Sequence, residues 1–88
     1  MFRINDNRGF QITFDNGWTV SVQIGDGNYH SNRDLSSNDF KTSIPTPNAE
    51  IAAWDKNDNW YEFDTDTVKG WVSPNEVLDF MNMIAAKD

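Results

Sequence analysis

Eighty-eight residues make one domain, residues 1–88, near the lower end of what a single apolar core holds together unaided. The chain has no cysteine, which excludes a disulfide framework and any thiolate zinc site. Fourteen acidic residues against seven basic ones, a formal net charge of −7, argue against direct nucleic-acid binding, because phosphate contacts draw on Lys and Arg.

From the N-terminus, Phe2-Arg3-Ile4 reads as a short strand that returns through Asn5 to Gly9. Phe10, Ile12 and Phe14 then alternate with Gln11 and Thr13, and Trp18, Val20, Val22 and Ile24 alternate with Thr19, Ser21 and Gln23. Both runs have the period of a half-buried strand. Register decides the turn between them. A two-residue Asn16-Gly17 loop would set Phe14 against Thr19 and split the apolar faces. A three-residue Asp15-Asn16-Gly17 loop sets Phe14 against Trp18, Ile12 against Val20 and Phe10 against Val22, with every apolar residue on one side. It also puts Gly17 where such loops want a left-handed residue.

Residues 24–48 lack a sustained period and hold Gly25, Gly27, Pro45, Pro47 and many Ser, Asn and Asp. A connection this long is uncommon in a small domain and marks a candidate working loop. A second hairpin follows, Glu50–Trp54 and Trp60–Phe63 around a five-residue Asp55–Asn59 loop. This register opposes Ile51 to Phe63, Ala53 to Tyr61 and Trp54 to Trp60, with Ala52 and Glu62 on the wetter face. Ser73-Pro74-Asn75-Glu76 starts a helix: Ser73 caps, Pro74 suits the first position, and Glu76 completes a capping box. Val77, Phe80, Met81 and Ile84 form its apolar stripe. The expected fold is α+β: an antiparallel β-sheet of four to five strands, including two hairpins, with one C-terminal α-helix packed on one face.

Gly25-Asp26-Gly27-Asn28-Tyr29-His30 follows a strand, as a phosphate loop would, but His30 stands where the dinucleotide pattern needs a third Gly, and no helix follows. Two glycines still let backbone approach a ligand, and Tyr29 can stack on a ring. The ordinary reading is a turn at the end of a strand. His30 is the only histidine, and nothing near it fixes a nucleophile–base–orienter set. Asp55, Asn57 and Asn59 begin like a calcium loop with Asp66 at the twelfth place, yet Trp60 stands where the loop needs Gly, and the flanks read as strands. Trp54, Trp60 and Trp71, with Tyr61, form either core or, where exposed, an interface. Asp55, Asp58, Glu62, Asp64 and Asp66 are solvated turns, an anionic patch for a basic host protein, or a mimic of nucleic-acid phosphates.

Three stretches, "FDNGWTVSVQIGDGNY", "AEIAAWD" and "VKGWVSPNEVLDFMNMIA", together resemble small uncharacterised proteins encoded by tailed bacteriophages and prophages. The resemblance covers about half the chain and supplies no catalytic residue. It implies the host bacterial cytoplasm as the setting. By analogy with other small phage proteins, it also implies antagonism of a host defence or regulatory component.

The expected function is therefore a non-enzymatic binding protein whose partner is a host protein. Its contacts are expected from Gly25, Asp26, Gly27, Asn28, Tyr29, His30 and Arg33 in the loop, and from Trp54 and Trp60. One alternative is a symmetric homo-oligomer that sequesters a signalling nucleotide, with Arg33 or Arg8 meeting phosphate. Another is a small virion or assembly component. No catalytic residue, metal ligand, cofactor or membrane association is expected, since no apolar run reaches spanning length.

Overall fold

Alternating apolar residues make ribbons that are greasy on one side, and these ribbons must share a cover. A computed structural model, which describes residues 1–5, 8–24 and 46–88, shows how they share it. Five strands, β1 (Phe2–Ile4), β2 (Gly9–Thr13), β3 (Thr19–Gln23), β4 (Ala49–Trp54) and β5 (Lys69–Val72), form one sheet in the order β1-β2-β3-β4-β5. Every neighbouring pair is antiparallel. A single helix, α1 (Pro74–Ala85), packs on one face, so the fold is α+β as expected.

The first hairpin has the three-residue loop. Phe10 faces Val22, Ile12 faces Val20, and the Phe14 N–H donates to the Trp18 carbonyl at 2.9 Å. Gly17 has φ +89°, the left-handed geometry that closes such a turn without penalty only for glycine. Gly9 is required for a different reason. At φ +144° a β carbon there would collide with the Val22 carbonyl.

At its tip the second hairpin keeps the expected register. Trp54 bridges Trp60, the Tyr61 N–H donates to Ala53 at 2.9 Å, and Asp55 and Asn59 close the loop at 3.0 Å. Beyond Tyr61 the expectation fails. Phe63 does not face Ile51, because the chain folds into a tight turn in which Phe63 and Asp66 exchange bonds of 2.6 and 2.8 Å. The place beside β4 belongs to β5, where Lys69 faces Ile51 and Val72 faces Ala49. Ala52, expected on the wetter face, is buried. It lies opposite Ser21 in the middle of the sheet, a short side chain flanked along the strands by Trp54 and Glu50, with the Gln23 amide hydrogen-bonded to Ser21 at 3.0 Å.

The core lies between β3–β5 and α1. It is built from Val20, Ile51, Ala53, Val72, Phe80 and Ile84, with Ile12, Phe14, Trp18 and Val22 packed around it. Full burial of Val20, Val72 and Ile84 contributes about 1.5–3 kcal/mol each. Helix α1 begins with the expected capping box: Ser73 Oγ accepts from the Glu76 N–H at 3.2 Å, and Glu76 reaches back to Ser73. Its far end is held from a distance. The Asn16 amide, in the β2–β3 turn, donates to the carbonyls of Ile84 at 2.8 Å, Lys87 at 3.0 Å and Ala85 at 3.3 Å. The same side chain accepts from the Trp18 N–H at 3.0 Å. Lys87 Nζ then sits 5.3 Å from the Trp18 ring and 5.7 Å from the Tyr61 ring, within cation–π reach of both.

Candidate functional site: an acidic aromatic cleft beside strand β5

The detour from Tyr61 to Trp71 is shaped by where its aromatic residues find partners. Tyr61 and Phe63 turn inward. Their ring centroids lie 5.4 and 5.1 Å from that of Phe80, and 5.0 Å from each other. Such clusters are worth more than their area alone. Anchored at two alternate residues, the segment leaves Glu62 and Asp64 exposed. The following turn is held by its own polar groups: Asp66 Oδ1 accepts from the Val68 N–H at 3.2 Å, and Asp64 takes the left-handed φ of +48°.

The chain rejoins the sheet through a bulge between Lys69 and Val72. At its centre Trp71 has φ +53° and stays 56% exposed. For a bulky L-residue that backbone geometry costs about 1–2 kcal/mol. The bulge aims the indole away from the core, which Val72 enters in its place.

An open cleft of about 800 Å³ results, lined by Tyr61, Glu62, Phe63, Asp64, Asp66 and Trp71 among others. Lys69 also borders it, but its ammonium lies 3.4 Å from the Glu76 carboxylate. That exposed pair contributes little to stability. The cleft thus carries the carboxylates of Glu62, Asp64 and Asp66, with the Lys69 ammonium paired to Glu76. Phosphate is a poor fit to this rim. A cation is a good one: carboxylates accept its N–H groups beside the half-exposed Trp71 indole.

The hairpin tip makes a second exposed feature. The Trp54 and Trp60 rings are 4.7 Å apart at 34°, with Trp54 half-buried and Trp60 45% exposed. Sequence placed these two side by side correctly. None of Trp54, Trp60 and Trp71 joins the buried core, whereas Tyr61 packs against it. Asp55 beside them is a turn residue. It accepts from the Asn57 N–H at 2.8 Å, the Asn59 N–H at 2.9 Å and the Asn59 side chain at 3.2 Å. The Asn59 backbone bond is the largest influence holding its carboxyl below the ordinary value of 3.8. With Asp55 bonded within its own turn and Asp66 serving another, the calcium-like spacing does not assemble a cage. Among the described residues no cluster of three or more His, Asp or Glu could hold a metal ion.

Gly25, Asp26, Gly27, Asn28, Tyr29, His30 and Arg33 lie outside the described residues. A smaller apolar recess of about 270 Å³, lined by Val22, Ile24, Ala49, Val72, Pro74 and Val77 among others, opens near the start of α1. Among the described residues no helix is long and apolar enough to cross a membrane. No protein-family model, curated protein or solved structure matches the chain.

Sequence reasoning missed the cleft because β5 hides its period. Lys69-Gly70-Trp71-Val72 alternates in the structure only after the bulge displaces Trp71. The available signal was Gly70 beside an aromatic in an otherwise strand-like run, which marks a bulge or a close backbone approach.

Proposed function

We propose that this protein is a non-enzymatic binding module that captures a cationic side chain of a partner protein in the Tyr61–Trp71 cleft. The observation that carries the reading is Trp71, displayed to solvent at a backbone cost and bordered by three exposed carboxylates. Strained residues persist where the surroundings impose them, and they concentrate at ligand clamps. An arginine suits the site best, because its planar guanidinium stacks on an indole and still donates to carboxylates. Residues 55–69 hold five carboxylates against two lysines, so the same region steers a basic partner and raises association rate more than affinity. In the setting implied by the phage resemblance, that partner is a host defence or regulatory protein. The nucleotide-sequestering alternative rests on Gly25–Tyr29 and Arg33, outside the described residues, or on Arg8, and the acidic rim lends it no support.

The test uses the full chain labelled with ¹⁵N and a capped Gly-Ser-Arg-Ser-Gly peptide, with norleucine replacing Arg in the control. The Arg peptide should shift the Trp71 indole and the Asp64–Asp66 amides. The norleucine peptide should not, and added salt should weaken the response. Equal response to both peptides, or shifts confined to other residues, would sink the proposal.

A further inference from the structure

The opposite edge of the sheet is strand β1, which exposes backbone as well as side chains. Strand β1 pairs with β2 through Met1, whose N–H and C=O both bond Thr13 at 2.9 and 2.8 Å, and through Asn5, whose N–H bonds Gly9 at 3.2 Å. Between them Phe2 faces Ile12, Arg3 faces Gln11 and Ile4 faces Phe10. In an antiparallel ladder, hydrogen-bonded and non-hydrogen-bonded pairs alternate. Met1, Arg3 and Asn5 therefore bond inward, and the N–H and C=O groups of Phe2 and Ile4 point out from an edge that no other described strand pairs. Phe2 and Ile4 are 73% and 80% exposed, on the same face as the core that α1 covers over β3–β5. Arg3 projects from the other face and has no ion-pair partner among the described residues. Two outward donors, two outward acceptors, two apolar side chains on one face and one guanidinium on the other define what fits.

We propose that the β1 edge takes an extended segment of another protein as a sixth, antiparallel strand, with a carboxylate side chain opposite Arg3 and apolar residues opposite Phe2 and Ile4. A second copy of this chain is the poorer occupant. Two-fold pairing that satisfies Phe2 and Ile4 sets Arg3 directly against the partner copy's Arg3, and like charges directly opposite are destabilising. Each copy also carries a net charge of −7. Strand addition of this kind draws affinity from main-chain bonds and specificity from alternate side chains.

The probe is a capped Ser-Thr-Val-Glu-Val-Thr-Ser peptide titrated into the ¹⁵N-labelled full chain. The expected amide shifts are concentrated at Phe2, Arg3 and Ile4. Replacing the peptide Glu by Lys should weaken binding about fivefold. Methylating the two valine nitrogens should abolish binding, because those N–H groups bond the edge. Arg3→Glu should invert the Glu-over-Lys preference. Arg3 is exposed, so this variant should keep its fold, and the two peptide controls test the idea without any variant. Shifts elsewhere, no Glu preference, or equal binding of the methylated peptide would overturn the proposal. A concentration-dependent dimer mapping to β1 would overturn the choice of occupant. The surface is on the far edge from the Tyr61–Trp71 cleft, so neither result decides the other.

Discussion

Asn16→Asp is the substitution that separates a local from a long-range account of the first turn. Judged by turn chemistry alone it is nearly neutral, since Asp and Asn both suit such loops. The structure makes Asn16 the C-terminal cap of α1. Its amide donates to the Ile84, Lys87 and Ala85 carbonyls at 2.8, 3.0 and 3.3 Å. Two amide hydrogens make two good bonds, worth about 1 kcal/mol each in net stability. Asn16→Ala removes both, together with the acceptor for the Trp18 N–H. The Asp variant keeps that acceptor but sets a negative charge against the negative end of the helix dipole, adding about 1 kcal/mol.

The expected loss for Asn16→Asp is therefore about 3 kcal/mol. For a domain of this size that lowers Tm by roughly 12–24 °C. Urea unfolding followed by circular dichroism measures it, with m unchanged if the native fold is kept. The pH sign is also fixed. The introduced carboxyl would have its folded pKa raised, so its penalty is full at neutral pH and relieved as pH falls through that value. A protonated acid can donate again. Asn16→Asp within about 0.5 kcal/mol of wild type at pH 7 would refute the cap.

Trp71→Gly releases a left-handed L-residue and loses some unfolded-state restriction. Its unfolding free energy should stay within about 1 kcal/mol of wild type while the arginine-peptide response vanishes. Phe80→Ala, by contrast, empties the site where Tyr61, Phe63 and the core meet, and should cost about 3–5 kcal/mol by the same denaturation assay. Gly9→Ala should cost about 3 kcal/mol or more, because its β carbon meets the Val22 carbonyl and not a movable side chain. The Ser73 backbone N–H, followed by Lys69, holds the Glu76 carboxyl below its ordinary value of 4.5. A depressed folded pKa gives stability that is present above the unfolded value and lost as pH falls through the folded one. Stability measured from about pH 5 down to pH 3 should therefore fall less steeply in Glu76→Gln than in wild type.

What the sequence made legible was whatever depends on near neighbours. The β2–β3 register follows from alternation on two adjacent runs, and the α1 start follows from four consecutive residues. The Trp54–Trp60 bridge follows from the length of one loop. What stayed hidden depends on distant chain. Nothing around Asn16 announces that its amide reaches Ile84, because that bond exists only after sheet and helix dock. Phe63 has the alternation to continue a strand beside β4, but packing against Phe80 and Tyr61 outweighs that ladder and leaves the edge to β5. Trp71 reads either as core or as exposed aromatic until its positive φ and its exposure are known.

The two proposed surfaces have one origin, a mismatch of widths. Strands stand about 4.8 Å apart, so five of them span roughly 20 Å, while a helix with its side chains is about 10–12 Å across. One helix covers about two strands, and α1 sits mainly on β3 and β4, with only Val72 of β5 reaching the core beneath it. On the β5 side the Tyr61–Phe63 detour tucks two rings under the uncovered margin, and the cleft is the space left inside that detour. On the β1 side no described residue does the same, and Phe2 and Ile4 stay open. The two margins also differ in charge, with three carboxylates at one and Arg3 at the other. If covering were the only role of the missing width, enlarging the apolar margin would be harmless. If the edge is instead a strand acceptor, Arg3→Val should increase self-association through β1, because it removes the like charges that two-fold pairing would set opposite each other. Sedimentation of both chains at rising concentration distinguishes these outcomes, and a variant that self-associates no more than wild type would show that Arg3 does not oppose pairing of two β1 edges.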